Sequence, residues 1–434
     1  MPEWWRNRSQ RRAAARAESL TDQSNRLAAA GQWARVETVL RQVIRLRTDQ
    51  LGPHASATVA ARGELAAALV ALRRYEEAEA ELRVALPPAV AAQGEDHTDV
   101  RELRAVLGRA LVELRRYEEA EPELRAVLPL AVAARGEDSD DVHDLRFLLG
   151  RVLIATGRPA EAEELACAVL AAHPAVDPVR LRAWRARALA LNGLGRHREA
   201  AAEYTALLTA APAVLGERHR LLLVVRSLRF QQLAVLGECD QVEQEYPALL
   251  SALPDGDSLR SSVHSARVFA LNVAGRHTEA EALARKALAR HPGIGLSLGL
   301  ARSLNALGRS TEALQVLTDA EAETPRSVEG ALAVLLAILT AQALLGLDRP
   351  DEAETQARRA VDLAQCYYHP DNHRALEAAT TVGRVLAAQG RHSEATTQLS
   401  RCATVWREHF GARHPYTVAV EADLAALCGG RPCG

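Results

Sequence analysis

The sequence predicts an all-α repeat array, and three observations predict it. Leucine recurs at Leu27, Leu69, Leu111, Leu153, Leu191, Leu233, Leu271, Leu304, Leu344 and Leu386. Nine residues after each stands a small apolar partner: Val36, Ala78, Ala120, Ala162, Ala200, Val242, Ala280, Ala313, Ala353 and Ala395. Hydrophobic residues make up 48% of the chain but aromatics only 4%, which suits helices packed through small contacts. Ten copies of one two-residue rule describe helical hairpins that each need a neighbour to bury an apolar face. The 434 residues therefore count stacked units rather than separate domains.

In chain order, residues 1–16 read as a basic leader ahead of the first helix, with Trp4 and Trp5 beside Arg6, Arg8, Arg11, Arg12 and Arg16. Such a segment docks into a partner's pocket, rests at a membrane interface, or simply frays or caps the first repeat. Residues 17–428 form the array, each unit reading as helix A, a tight turn, helix B and a connector. The second and third turns are nearly identical, Leu72-Arg-Arg-Tyr-Glu-Glu-Ala78 and Leu114-Arg-Arg-Tyr-Glu-Glu-Ala120. Later turns carry Gly195, Gly275, Gly308 and Gly390, where a left-handed residue ends helix A. The glutamate before each alanine falls in the first turn of helix B, where negative charge meets the positive helix end. The sixth unit departs from this, with Phe230, Val242 and Glu238-Cys-Asp. It reads either as a repacked ordinary repeat or as a distorted joint. Residues 417–428 read as a lone amphipathic helix capping the last apolar face, and 429–434 as a flexible tail.

The small residue three positions before the leucine in most units (Ala66, Gly108, Gly150, Ala188, Ala301, Ala341 and Gly383), the Gly-Arg turn and the Glu-Ala start of helix B resemble the tetratricopeptide repeat. Most anchors lie 38–42 residues apart, longer than the family's usual 34. With connectors such as Leu51-Gly-Pro-His54, Gly94-Glu-Asp-His97 and Gly411-Ala-Arg-His-Pro415, the period resembles the kinesin-light-chain type found widely in bacterial adaptors. The resemblance implies a right-handed α-solenoid of about ten such hairpins plus a C-terminal capping helix. It also implies that helix A lines a concave groove. Two positions before the leucine, that groove would hold Arg109, Arg151, Phe269, Arg302 and Arg384; one position after, it would hold Asn192, Asn272 and Asn305. Arg182 and Arg185 would join them. Where the family places an asparagine ladder, five residues before the leucine, this chain has Asp22, Glu64, Val106, Leu148 and Ala186.

Asparagines in one register would clamp an extended peptide backbone, since each both donates and accepts. The arginines would favour an acidic segment or a carboxylate terminus through bidentate pairing, or stand as solvated helix positions. The expected function is a non-enzymatic scaffold binding a protein or peptide in its groove. The alternative is a regulator that senses a peptide or small ligand and controls a separate effector.

Other classes fit poorly. The net charge of −2 provides no field for nucleic acid. The one lysine, Lys286, follows no glycine-rich loop, so a P-loop is excluded. His-Glu-x-x-His and Cys-x-x-Cys are absent. His369-Pro-Asp-Asn-His373 lies at a connector, and Cys428 and Cys433 lack neighbouring histidines, so neither reads as a metal site. No cofactor is expected. The first residues lack an apolar signal and no run of 18 apolar residues occurs, so a cytoplasmic location is expected. The sequence leaves self-association open.

Overall fold

A computed structural model describes residues 3–216, 219–291, 293–323 and 331–429, with side chains for all of these except 3–11, 323 and 331. Among the described residues every regular element is a helix, and the helices pair into ten hairpins. The first four are α1 (Glu3–Ala29) with α2 (Trp33–Leu51), α3 (Ser56–Ala71) with α4 (Tyr75–Gln93), α5 (Thr98–Glu113) with α6 (Tyr117–Arg135), and α7 (Asp140–Ala155) with α8 (Pro159–Ala172). Next come α9 (Pro178–Gly193) with α10 (His197–Ala210), the short α11 (Pro212–Leu215), then α12 (Arg220–Val235) with α13 (Cys239–Ser251). The last four are α14 (Leu259–Val273) with α15 (His277–Leu288), α16 (Ile294–Ala306) with α17 (Ser310–Glu323), α18 (Ala331–Gly346) with α19 (Pro350–Tyr367), and α20 (His373–Ala388) with α21 (His392–Phe410). A single helix, α22 (Pro415–Leu427), covers the end. The chain forms two compact units, Met1–Val152 and Leu153–Gly434.

The leucine–alanine rule is a packing rule. All ten small partners are buried, as are nine of the ten leucines; Leu27, in the first hairpin, is half-buried. The turn between A and B also repeats atom by atom. Four residues after each leucine the backbone is left-handed, at Gly31, Arg73, Arg115, Gly157, Gly195, Gly237, Gly275, Gly308, Asp348 and Gly390. The next N–H then returns to the leucine carbonyl, as in Arg116 to Leu111 at 2.9 Å and Arg276 to Leu271 at 2.8 Å. This is a Schellman closure: it satisfies a carbonyl that the end of helix A would otherwise leave bare.

That returning residue is usually arginine, and it grips the glutamate three positions on. Arg74–Glu77, Arg116–Glu119, Arg196–Glu199, Arg276–Glu279, Arg349–Glu352 and Arg391–Glu394 are two-pronged forks at 2.5–2.8 Å. Several arginines also reach back to the preceding hairpin, as in Arg74–Glu37, Arg116–Glu79 and Arg309–Glu281. A planar guanidinium can hold two carboxylates at once where an ammonium cannot, which accounts for a basic complement almost free of lysine.

Several connector histidines are helix caps. His97, His219 and His414 each present Nδ1 to the backbone N–H two residues on, starting α5, α12 and α22. His369 does the same for Asp371, and Asn372 caps α20.

Two expectations change, the leader and the start of the capping helix, and the sixth unit takes the first of its two readings. The segment expected to precede the first helix is itself helical, because α1 begins at Glu3; Trp4 and Trp5 lie on it, and their side chains lie outside the described residues. The sixth unit is no distorted joint: Gly237 takes the left-handed turn, Glu238 closes onto the Leu233 carbonyl at 2.9 Å, and Phe230 and Val242 are fully buried. The capping helix starts at Pro415, two residues before the expected start.

The second unit closes upon itself. Its late connectors meet the turns of its early hairpins, which lie some 180 residues back in sequence. The His369 N–H reaches the Gly193 carbonyl at 3.4 Å and Asn372 Nδ2 donates to the Asn192 carbonyl at 2.8 Å. His414 Nε2 donates to the Val235 carbonyl at 3.1 Å, and Arg198 to the Phe410 carbonyl at 3.2 Å. A β-carbon at Gly157 would lie 1.7 Å from the Cys366 carbonyl oxygen, and one at Gly195 2.8 Å from the Asn372 nitrogen.

Candidate functional site

In the first unit, helices α5, α6 and α7 enclose a pocket of about 310 Å³. Its floor is apolar, with Val106 from α5, Val127 from α6, and Leu145 and Leu148 from α7. Val106 and Leu148 occupy the register in which the family sets asparagines, so apolar contact replaces hydrogen bonding there. The rim is charged but balanced. Arg109 meets Asp144 at 3.0 Å, and Arg135 meets Glu102 at 3.2 Å and also Asp141. Arg101 is held by the Leu130 carbonyl at 2.8 Å and by Thr98. Arg151 pairs with Glu113.

In the second unit, closure makes a chamber of about 510 Å³. One wall is a face of α14 and its start, where Ser258, Ser261, Ser262, Ser265 and Phe269 recur at helical spacing. Against it lies α16, whose Gly295 and Gly299 leave room for close approach: a β-carbon there would sit 2.8 Å from Ser265 Oγ and 2.7 Å from Val268 Cγ1. The opposite wall is the returning segment with Tyr368, Asn372, His373 and Arg374.

Charge is concentrated at one end. Arg302 of α16 is buried, and its Nη1 donates to Glu377 of α20 and, at 2.9 Å, to the Tyr416 hydroxyl. Arg374 donates to the other Glu377 oxygen at 3.0 Å. Burial pushes the Glu377 carboxyl upward; Arg302 and Arg374 together overcome this and hold it below the ordinary carboxylate range. Phe269 lies under both cations, 5.6 Å from the Arg302 guanidinium carbon and 5.2 Å from that of Arg374.

A histidine relay ends at the same place. His197 Nδ1 meets Gln232 Oε1 at 3.0 Å, and His373 Nδ1 meets His197 Nε2 at 3.2 Å. Burial above all lowers both basicities, His197 to about 4 and His373 well below 6.5, so both rings are neutral at pH 7. With the Gln232 oxygen accepting, His197 carries its proton on Nδ1, its Nε2 accepts from His373, and His373 Nε2 is left as a lone pair.

Several expected groove residues serve the fold. Asn272 Nδ2 donates to the carbonyls of Val268 (3.1 Å) and Gly299 (3.2 Å), and Oδ1 accepts from Ser303 at 3.1 Å. Asn305 donates to the Leu339 carbonyl at 3.0 Å. Both bridge one helix A to the next, so neither is the peptide clamp that the register implied. Arg302 is likewise no open groove cation, and Arg384 is paired with Asp423 at 2.7 Å. Arg182 and Arg185, on α9, make contacts within the protein. Only Asn192, Phe269 and Arg302 of the expected set meet in one site, the chamber.

Family models described as tetratricopeptide repeat match residues 105–175, 147–214 and 270–328, with further models of that description at 334–359 and 376–416. Together they cover more than half the chain and coincide with the hairpins. The chain is a tetratricopeptide repeat protein. Solved structures similar to this tetratricopeptide repeat protein include kinesin-light-chain TPR-like repeats from Podosopora anserina, 21% identical over 46% of this chain and 95% of that one, with TM-score 0.41. A tetratricopeptide repeat protein from Parabacteroides merdae is 14% identical over 76% and 98%, with TM-score 0.40. The APC/C hetero-tetramer Cut9-Hcn1 is 12% identical over 95% and 87%, with TM-score 0.47. Among curated proteins none matches. Tetratricopeptide repeats serve as scaffolds for protein–protein interaction.

Sequence reasoning missed the serine face of this repeat protein, although its signal was present. Ser258, Ser261, Ser262 and Ser265 stand at i, i+3, i+4 and i+7, one polar stripe on a helix. Alignment on the leucine registers passes over it. The partners across the chamber had no sequence signal, because they come from hairpins remote in the chain.

Proposed function

We propose that this tetratricopeptide repeat protein is a non-enzymatic scaffold that binds a protein or peptide partner, with the pocket of the first unit receiving an apolar side chain of that partner. The observation that carries this reading is the apolar floor of Val106, Val127, Leu145 and Leu148 inside a rim whose charges are already matched. An anchor residue in a desolvated pocket with polar surroundings is the usual centre of a protein interface. Balanced rim charges give little preference for an acidic segment here, so the apolar floor is the main source of affinity.

The test is capture of partners from native lysate with the intact chain, a Val106→Asp variant, and an Arg109→Glu variant. Val106 is only half-buried, so the aspartate leaves the fold intact by circular dichroism. Loss of a captured partner with Val106→Asp, and a smaller effect with Arg109→Glu, is the expected result; capture untouched by Val106→Asp refutes the pocket. A second reading, a regulator that senses a small ligand, is favoured by the chamber of the second unit.

A further inference from the structure

The chamber holds three features that its fold leaves incomplete. Arg302 is buried, and its Nη2 has no hydrogen-bond partner among the described residues. His373 is equally buried, and its Nε2 has none either. Both side chains line the same cavity. The third feature is charge: Arg302 and Arg374 share the one carboxylate of Glu377, and among the described residues no acidic side chain lines the chamber. A buried donor and a buried acceptor left bare each cost about 1–3 kcal/mol, and an excess cation held mostly out of water adds to that. A structure that retains all three in one cavity is built for something that completes them.

We infer that the chamber binds a small organic monoacid carrying a hydroxyl or amide N–H beside its carboxylate and a short aliphatic body. The carboxylate meets Arg302 Nη2 and Arg374, supplying the missing negative charge. The hydroxyl or N–H donates to His373 Nε2, which the relay from Gln232 fixes as an acceptor. Leu298, Leu332 and Leu335 receive the aliphatic part, and the serines of α14 hydrogen-bond to remaining oxygens. The volume, about 510 Å³, lies in the range of small-molecule sites. Because Arg302 belongs to α16 while His373 and Arg374 belong to the returning α20, such a ligand joins the two sides of the closure and strengthens it. This goes beyond the reading of the first unit and stands apart from it, since no residue is shared.

The test uses the full chain with 2-hydroxyisocaproate as the probe and its neutral amide as the control, read by calorimetric titration and thermal unfolding. The expected result is saturable binding of the acid that raises the unfolding temperature, with the amide at least about tenfold weaker. Arg374→Gln removes the excess charge and leaves Arg302 and Glu377 as a balanced pair, so it folds and loses at least about tenfold in acid affinity. Leu335→Trp fills the chamber without touching a charge and abolishes binding. The proposal is overturned if millimolar acid gives no heat and no thermal shift. It is equally overturned if acid and amide bind alike, or if the Arg374→Gln and Leu335→Trp proteins bind as the parent does. Partner capture through Val106 is unaffected by either outcome.

Discussion

At the scale of single residues, glycines that look identical in sequence have different jobs. Gly157, Gly195, Gly275 and Gly308 all take the same left-handed turn. A β-carbon at Gly275 or Gly308 would meet nothing within 4 Å, whereas at Gly157 it would strike the backbone at the end of α19 and at Gly195 that of the connector after it. Alanine at Gly275 or Gly308 should cost about 1–2 kcal/mol, the left-handed penalty alone. At Gly157 or Gly195 it should cost a further 1–3 kcal/mol or so for the displaced backbone. Urea unfolding of the four variants decides this, and equal losses at all four would contradict the close approach. The buried histidines make a separate prediction about pH. His197 is held neutral by burial, with its basicity lowered to about 4, while in the unfolded chain it protonates near 6.5. The unfolded state therefore binds more protons between those limits, and stability falls as pH drops from about 6.5 to 4, by up to about 3 kcal/mol. His197→Gln should flatten the stability profile between pH 6.5 and 5, a range in which the lowered carboxylates such as Glu354, near 2, do not yet titrate.

Each hairpin, as an element, is held by its leucine and small partner and trimmed by its arginine fork. Leu111 on α5 and Ala120 on α6 are both buried, and the Leu111 carbonyl also closes the turn at 2.9 Å. Leu111→Ala should cost about 2–5 kcal/mol through the cavity it leaves. Arg116, three-eighths exposed, bridges the exposed Glu119 and the buried Glu79, which Arg83 also holds, so Arg116→Ala should cost about 1 kcal/mol. Thermal unfolding of the two variants compares them, and a larger loss from the arginine would show the forks to be structural supports rather than surface trim. The repeated turn explains why the hairpins were legible: the leucine, the left-handed position and the glutamate are all local, within about a dozen residues. Arg73, Arg115 and Asp348 show the limit of that legibility, since they adopt the left-handed turn without being glycine.

Over the molecule as a whole, the second unit departs from nearest-neighbour behaviour. In an open array a change in the last repeat is felt mainly by its neighbour. Here His414, at the start of α22, donates to Val235 of α12, so His414→Ala should speed amide exchange in α12 as well as in α22. Exchange that rises in α20–α22 alone would show that the closure carries no energy. The sequence by itself determined the hairpins, their number, their all-α class and the family, because periodic burial and turn chemistry act between residues close in the chain. It did not determine which helix faces remain open. Asn272, Asn305 and Arg302 share the registers of groove residues, yet contacts across hairpins turn the first two into bridges and bury the third. Tertiary closure alone decided the chamber, because its walls, α14 and α16 on one side and Tyr368–Arg374 on the other, meet only when connectors far apart in the chain are brought into hydrogen-bonding distance.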